Sequence, residues 1–348
     1  MGERPQQFGR KSPRLGLALV ALLTLAACSG GSDPTTTAGP PPTSTSTTST
    51  STTEPASGST TTTAAPIDTS TQPFSIAVGS AGVTYDLDGA PPSGPSSFAV
   101  LDDGSVVIAD TMAATRGEPR LLHYDRSGEL QATIDLAGEE VASIVDVVSD
   151  GSSLAILDVF IAMGRYRVLT LSRDGEVTEI FDIPPGFHFE DSLTGLAWDD
   201  AGILLEFELG GWYARVTETG AIESPVDAIF EGVSIELSPG EGRTTEVVTD
   251  SATFSIERAT DLGGATLIGI APDGSIVVVV DEVDLSGPAF VVTRRVQRYS
   301  ESGEFETEQV IDAGDQFLDI PRPLELDAAG TILYLQALPD RMAIAVLR

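Results

Sequence analysis

The chain has 348 residues, a formal charge of -33 and a single cysteine, Cys28; it contains no asparagine, and of its 19 basic residues only Lys11 is a lysine. An acid excess of this size repels nucleic acid and anionic bilayers, one cysteine forbids an internal disulfide, and the lack of asparagine removes every acceptor for an Asn-linked glycan. The charge favours solubility, and any binding it drives is to cations or basic partners.

Residues 1–27 have the parts of an export signal: basic Arg10, Lys11 and Arg14, an apolar run from Leu15 to Ala27, and a small-residue end. That run falls short of the roughly 20 residues a permanent membrane span needs. It ends Leu25-Ala26-Ala27-Cys28, which resembles the lipobox of bacterial lipoproteins. The resemblance implies a diacylglycerol thioether on Cys28 and cleavage before it, so we expect a protein tethered by lipid to the outer, extracytoplasmic face of a bacterial membrane.

Residues 28–72 are dominated by Thr, Ser, Pro, Gly and Ala, with runs such as TSTSTTSTSTT from Thr43 to Thr53. Without branched apolar or aromatic side chains to offset the entropy of ordering, this stretch is expected to be a disordered stalk. As a flexible coil it spans about 35 Å root-mean-square. Its Ser/Thr and Pro content also suits O-linked sugars.

From residue 73 to 348 the composition changes to branched apolar runs punctuated by Gly, Asp and Pro. Five runs share an apolar strand, a turn containing Asp and Gly, and a second apolar strand: Phe98 to Asp110, Ile144 to Asp158, Leu193 to Glu208, Leu267 to Asp281 and Pro323 to Gln336. Their turn glycines, Gly104, Gly151, Gly202, Gly274 and Gly330, can supply the positive φ of a tight hairpin. Successive glycines lie about 50 residues apart, the period of four-stranded propeller blades. The one long gap, between Gly202 and Gly274, holds VSIEL, TTEVVT and ATFSIER, a degenerate blade without the Asp-Gly turn. A second turn, between third and fourth strands, recurs at Asp125, Ser172, Thr217 and Ser300. The last copy ends in MAIAVLR, one strand short. FSIAV (Phe74 to Val78) or VTYDL (Val83 to Leu87) can supply it and close the ring. The fold class expected is therefore all-β, a monomeric propeller of six four-stranded blades closed by an N-terminal strand. A pair of β-sandwiches shares the strand spacing but does not repeat at this period.

FAVLDDGSVVIADT followed by LLHYDRSGE, from Phe98 to Glu129, resembles the NHL-repeat propellers. The Asn-His-Arg core of that repeat is absent, replaced by the insertion MAATRGEPR. The resemblance implies architecture, and among such propellers are lactonases, lyases and binding platforms.

Aligned on their turn glycines, the five copies end the second strand at Asp110, Asp158, Glu208, Asp281 and Gln336. Equivalent strand ends in a ring share one face, so the four acids are candidates for one end of the channel, where mutual repulsion would favour a hard cation such as Ca²⁺. Gluconolactonase-like propellers use a divalent metal in that place with acidic and amide ligands; this chain has no Asn to offer. The alternative is that each acid ends its strand in water. His123 is expected to pack within a third strand. The loop residues Phe187, His188, Phe189, Trp212 and Tyr213 are candidates for ligand or partner contact, Trp212 also for core packing. No GxSxG, HExxH, CxxC or phosphate loop occurs. The function expected is a membrane-tethered module that binds or scaffolds a protein or small ligand; the alternative is a metal-dependent hydrolase or lyase at the channel mouth.

Overall fold

The computed structural model describes residues 74–79, 82–85, 94–110, 119–189, 192–208, 210–240, 242–286, 291–312, 317–318 and 320–347. The export signal, Cys28 and the Ser/Thr/Pro-rich stretch lie outside the described residues, as do the end of VTYDL and most of the insertion after Asp110.

Six four-stranded antiparallel sheets form the blades of a propeller. Blade 1 contains β2 (Phe98–Val100), β3 (Val106–Asp110), β4 (Arg120–Tyr124) and β5 (Leu130–Asp135). Blade 2 contains β6 (Ile144–Ser149), β7 (Ser153–Phe160), β8 (Arg165–Ser172) and β9 (Val177–Asp182). Blade 3 contains β10 (Leu193–Asp199), β11 (Gly202–Phe207), β12 (Trp212–Val216) and β13 (Ile222–Val226). Blade 4 contains β14 (Ala228–Phe230), β15 (Val233–Pro239), β16 (Thr244–Thr249) and β17 (Thr253–Glu257). Blade 5 contains β18 (Leu262–Ile270), β19 (Ile276–Asp284), β20 (Val291–Tyr299) and β21 (Phe305–Asp312). Blade 6 contains β22 (Leu324–Leu326), β23 (Ile332–Ala337) and β24 (Arg341–Leu347), and takes its fourth strand from β1 (Phe74–Ala77).

The degenerate blade is present as expected, with a first strand, β14, too short to stand out in the sequence. Its hairpin turn is Glu231-Gly232, both at positive φ (50° and 77°), which is the geometry a two-residue turn needs to follow the strand twist. The ring closes as foreseen, with FSIA rather than VTYDL: Phe74 pairs with Ile344 and Ala77 with Arg341.

Innermost strands touch in succession, β2 to β6, β6 to β10, β10 to β14, β18 to β22 and β22 to β2, with β15 meeting β18. Second strands such as β7 are buried along almost their whole length, because a neighbouring blade covers each face of the sheet. Outer strands such as β5 are largely exposed. The core is correspondingly divided into six wedges, one at each junction between blades. The closing wedge includes Phe74, Ile76, Phe98, Ile108, Tyr124, Met342 and Ile344. The wedge between blades 3 and 4 is the smallest, with Leu204, Tyr213 and Ala228 fully buried.

The second-turn glycines have a packing role the repeat did not reveal. A Cβ on Gly128 would lie 2.8 Å from the Cβ of Phe74, on the outer strand of the preceding blade in the ring. Gly175 meets Ile134, Gly220 meets Phe181 and Gly303 meets Phe254 in the same way. Gly128 also sits at φ 84°, so a side chain there would be strained twice, by backbone and by neighbour. These four third-to-fourth turns, of blades 1, 2, 3 and 5, each seat one blade on the outer strand of the one before.

Antiparallel order gives the ring two unlike faces. The first-to-second and third-to-fourth turns emerge on one, the turn face; the second-to-third hairpins and the crossings between blades emerge on the other, the hairpin face. Phe74 begins β1 at the turn face, so the preceding chain joins there.

Candidate functional site

Three of the four sequence-predicted acids occupy equivalent places, but the structure does not bring the four into one cluster. Asp110, Asp158 and Asp281 each stand directly across from an arginine on the third strand of their own blade: Arg120, Arg167 and Arg294. Arg120 donates to Asp110 Oδ2 through Nε at 3.0 Å and Nη2 at 2.9 Å, and the Thr84 amide donates to Oδ1 at 3.1 Å. Arg167 does the same to Asp158 Oδ2 at 3.0 and 2.7 Å, while the amides of Ala142 and Ser143 donate to Oδ1. Arg294 grips both oxygens of Asp281, at 2.8 and 2.9 Å. Glu208 lies beyond the last rung of β11, exposed, at φ 54°. The physical reason is topological: second strands stand one place away from the axis, and at these strand ends each acid is met by an arginine of the third strand of its own blade. Among the described residues no group of three or more His, Cys, Asp or Glu side chains is arranged to hold a metal ion.

The aromatic candidates pack. Trp212 stacks on Phe207 at 3.7 Å between centroids, and His188 stacks on Tyr166 at 4.0 Å. Phe189 meets Tyr166 edge-on and Phe187 meets Phe207 edge-on. Together they fill the wedge between blades 2 and 3. Tyr213 is buried between blades 3 and 4. His123 shares a hydrogen bond of 2.9 Å with the Ser105 hydroxyl, and burial, helped by the charge of Arg173, lowers its pKa.

Sequence reasoning missed the polar centre of the channel. Arg322, just before β22 of blade 6, reaches across the axis: Nη1 donates to Asp146 Oδ2 of blade 2 at 2.7 Å, and Nη2 to Glu206 Oε2 of blade 3 at 2.9 Å. Nη1 also donates to the Leu196 carbonyl, and the Arg322 amide to the Ser96 carbonyl of blade 1. Asp146 accepts from the amides of Leu196 (2.8 Å) and Val147 (2.9 Å) as well, and the Thr194 hydroxyl donates to Glu206 Oε1 at 2.9 Å. The guanidinium therefore joins blades 6, 2 and 3, and the amide of the same residue adds blade 1.

Local backbone irregularity makes the room. The register shifts between Ile144 and Asp146 in β6 and between Leu193 and Gly195 in β10, and such bulges re-aim side chains. A methyl group on Gly195 would overlap Nη1 of Arg322, so glycine is required there for the close approach. The signal in the sequence was a lone charge inside each apolar run, VDVV, LLEF and PLEL, since charged groups are seldom buried unless paired.

Glu325 on β22 completes the centre. Burial, then the negative charge of Asp146, pushes its carboxyl from 4.5 to about 8 against the pull of Arg322. Burial opposes the charge of Arg322, yet Asp146 and Glu206 hold it protonated, above its ordinary value. Burial and Glu206 also raise the Tyr213 hydroxyl. Burial also raises the Asp146 carboxyl, against the pull of Arg322, and at neutral pH Glu325 is protonated.

This has a pH consequence. Between pH 4.5 and 8 the folded protein holds a proton on Glu325 that the unfolded chain lacks, so stability falls as pH rises through that window, by at most about 5 kcal/mol. Thermal melts from pH 5 to 9 should show the wild type losing stability relative to Glu325→Gln, whose profile is flatter. Parallel profiles would show that Glu325 does not carry the raised pKa.

No protein-family model matches the chain, and no curated protein matches it. Solved structures similar to it include a member of the DUF4221 family from Bacteroides vulgatus, 10% identical over 79% of this chain and 96% of that one, with a TM-score of 0.49. A Bacteroides caccae protein of unknown function is 11% identical over 63% of this chain and 82% of that one, TM-score 0.39. A Bacteroides uniformis protein, described provisionally as a 6-phosphogluconolactonase, is 14% identical over 74% and 84%, TM-score 0.37. At these values none of the three lends its function to this chain; six blades closed by the N-terminal strand are what its own strand pairing defines.

Proposed function

We propose that the chain is a lipid-anchored, extracytoplasmic propeller that works as a binding or scaffolding module for a protein or small ligand. The observation that carries this reading is internal neutralisation. Asp110, Asp158 and Asp281 are each answered by an arginine of their own blade. In the channel Asp146 and Glu206 share Arg322, and Glu325 is uncharged at neutral pH. A hydrolytic site needs convergent groups left free to act on a substrate; here they are engaged in holding blades together. The lipobox-like ending at Cys28 supports a tethered module.

Two measurements test this. Calorimetry and melting with millimolar Ca²⁺, Mg²⁺, Mn²⁺ or Zn²⁺ should show no heat and no shift, and aldonolactones should not turn over. Metal-dependent lactone hydrolysis that Asp158→Asn abolishes would replace the module with the hydrolase reading. Cys28→Ser should release the protein from the membrane fraction.

A further inference from the structure

The turn face has an open space in blade 5, and the repeat accounts for it. In blade 1 the first-to-second turn is covered twice. Its own Arg126 lies over Gly104, where even a Cβ would overlap the guanidinium, and Arg173, from the third-to-fourth turn of blade 2, reaches back to Asp103 and Ser105. The corresponding turn of blade 5, Asp273 to Ser275, has neither cover. Aligned on Gly128, Gly175 and Gly303, the place of Arg126 and Arg173 is taken by Glu301. Blade 6 draws its fourth strand from β1, so no third-to-fourth turn reaches back from it. What remains is a cavity of about 370 Å³ beside the corresponding turn of blade 4, lined entirely by described residues.

Its walls are polar. Ser251, Ser275, Ser300 and Ser302 contribute hydroxyls, and Asp273, Glu301 and Glu306 contribute carboxylates. The Ser251 hydroxyl of blade 4 donates to the Glu301 carbonyl at 3.0 Å and ties the two turns together, while Ser300 and Ser302 share a hydrogen bond of 2.9 Å. One guanidinium serves the three acids. Arg298 donates to both oxygens of Asp273, at 3.1 and 3.0 Å, and stands 3.7 Å from Glu306. The Ser275 hydroxyl and amide, then Arg298, hold the Asp273 carboxyl down at about 2, so it is charged at neutral pH. Glu301 is exposed, and among the described residues its carboxylate has no partner. Among the described residues no three of these acids are arranged to hold a metal ion.

We propose that this cavity binds an amino sugar, with the protonated amine at Glu301 and Glu306 and the sugar hydroxyls against the serines. This rests on the binding-module reading and names a ligand and a place for it. Carboxylates in excess of the guanidinium draw a cation. The serines select further, because a hydroxyl both donates and accepts and so matches the hydroxyls of a sugar, whereas a bare ammonium only donates. The volume is near the lower end of the roughly 300–1,000 Å³ that small-ligand sites occupy, which suits one or two sugar rings.

The test is a ligand-observed NMR titration of the full chain with glucosamine at pH 7. A Kd of about 1 mM is expected for so small a ligand. Glucose and N-acetylglucosamine, which lack the charged amine, should bind at least about tenfold more weakly. Glu301→Arg, which restores the residue type of blades 1 and 2, should abolish binding and still melt with the wild type. Glu218→Arg, at the same place in blade 3, should change nothing. No binding of glucosamine, or equal binding to Glu301→Arg, overturns the proposal, and so does spermidine binding as tightly as glucosamine, because the cavity would then select charge alone. The two levels fail separately. Absent glucosamine binding, with no metal heat and no lactone turnover, rejects the cavity and keeps the module; glucosamine binding beside lactone hydrolysis that Asp158→Asn abolishes keeps the cavity and rejects the module.

Discussion

Replacing Arg322 by methionine should cost about 3–5 kcal/mol, the loss expected when one partner of a buried ion pair is removed and the other charges are left behind. Asp146 and Glu206 are almost inaccessible, with side chains 1% and 3% exposed, and methionine supplies no charge to replace the guanidinium. The loss should depend on pH with a definite sign. Asp146 and Glu325 already have raised carboxyl pKa values against the pull of Arg322, and removing the guanidinium takes that pull away. The variant is then most stable in acid and loses stability as pH rises through those raised values. Denaturant titration at pH 5 and pH 8 measures this. Adding Asp146→Asn and Glu206→Gln to the variant should recover part of the loss, because the uncompensated charges are then absent. Gly195→Ala gives the same defect with all four charged residues retained, since its methyl group occupies the place of Nη1. If Arg322→Met melts with the wild type at both pH values, the channel centre is not what ties blades 6, 2 and 3.

The second large effect is expected at the closing strand. Phe74 and Ile76 put their side chains into the wedge between blades 6 and 1, at 8% and 1% exposure, and β1 pairs only with β24. Truncating a buried Phe or Ile to alanine costs about 2–5 kcal/mol, a large part of the 5–15 kcal/mol that folded domains typically hold. Ile76→Asp should exceed this, because an unpaired carboxylate would enter an apolar wedge. Deleting residues 74–77 removes the strand and leaves β24 as an open edge. Limited proteolysis should then cut first in β24 and the hairpin that precedes it, before any cut in blades 2 to 4. Uniform cleavage across all blades would show that the ring opens as one unit and that closure is not its weak junction.

Much of the fold was legible because it is written locally. The turns at Gly104, Gly151, Gly202, Gly274 and Gly330 have positive φ in the structure, a demand glycine meets within a few residues of chain. Even the closing strand could be foreseen, since the last copy lacks a fourth strand and an unmatched one stands at the other end of the domain. The site was legible only in part. Counting from each turn glycine located Asp110, Asp158 and Asp281 at equivalent strand ends, but not the strand's distance from the axis. It also aligned Glu208 with them, although Phe207–Trp212 is the last rung of that ladder. The packing of Phe187, Phe189 and Trp212 against the wedge between blades 2 and 3 was not legible, because a sequence does not display the neighbouring blade.

By itself, then, the sequence determined the number of blades, the closure, the acid excess and the lipobox-like cysteine, all of which follow from composition, period or turn chemistry within one repeat. Only tertiary structure decided which charges meet. Arg322 lies 176 residues from Asp146 and 116 from Glu206. Nothing local brings them together; closing the ring places the start of blade 6 against blades 1, 2 and 3, and two bulges make room for the guanidinium.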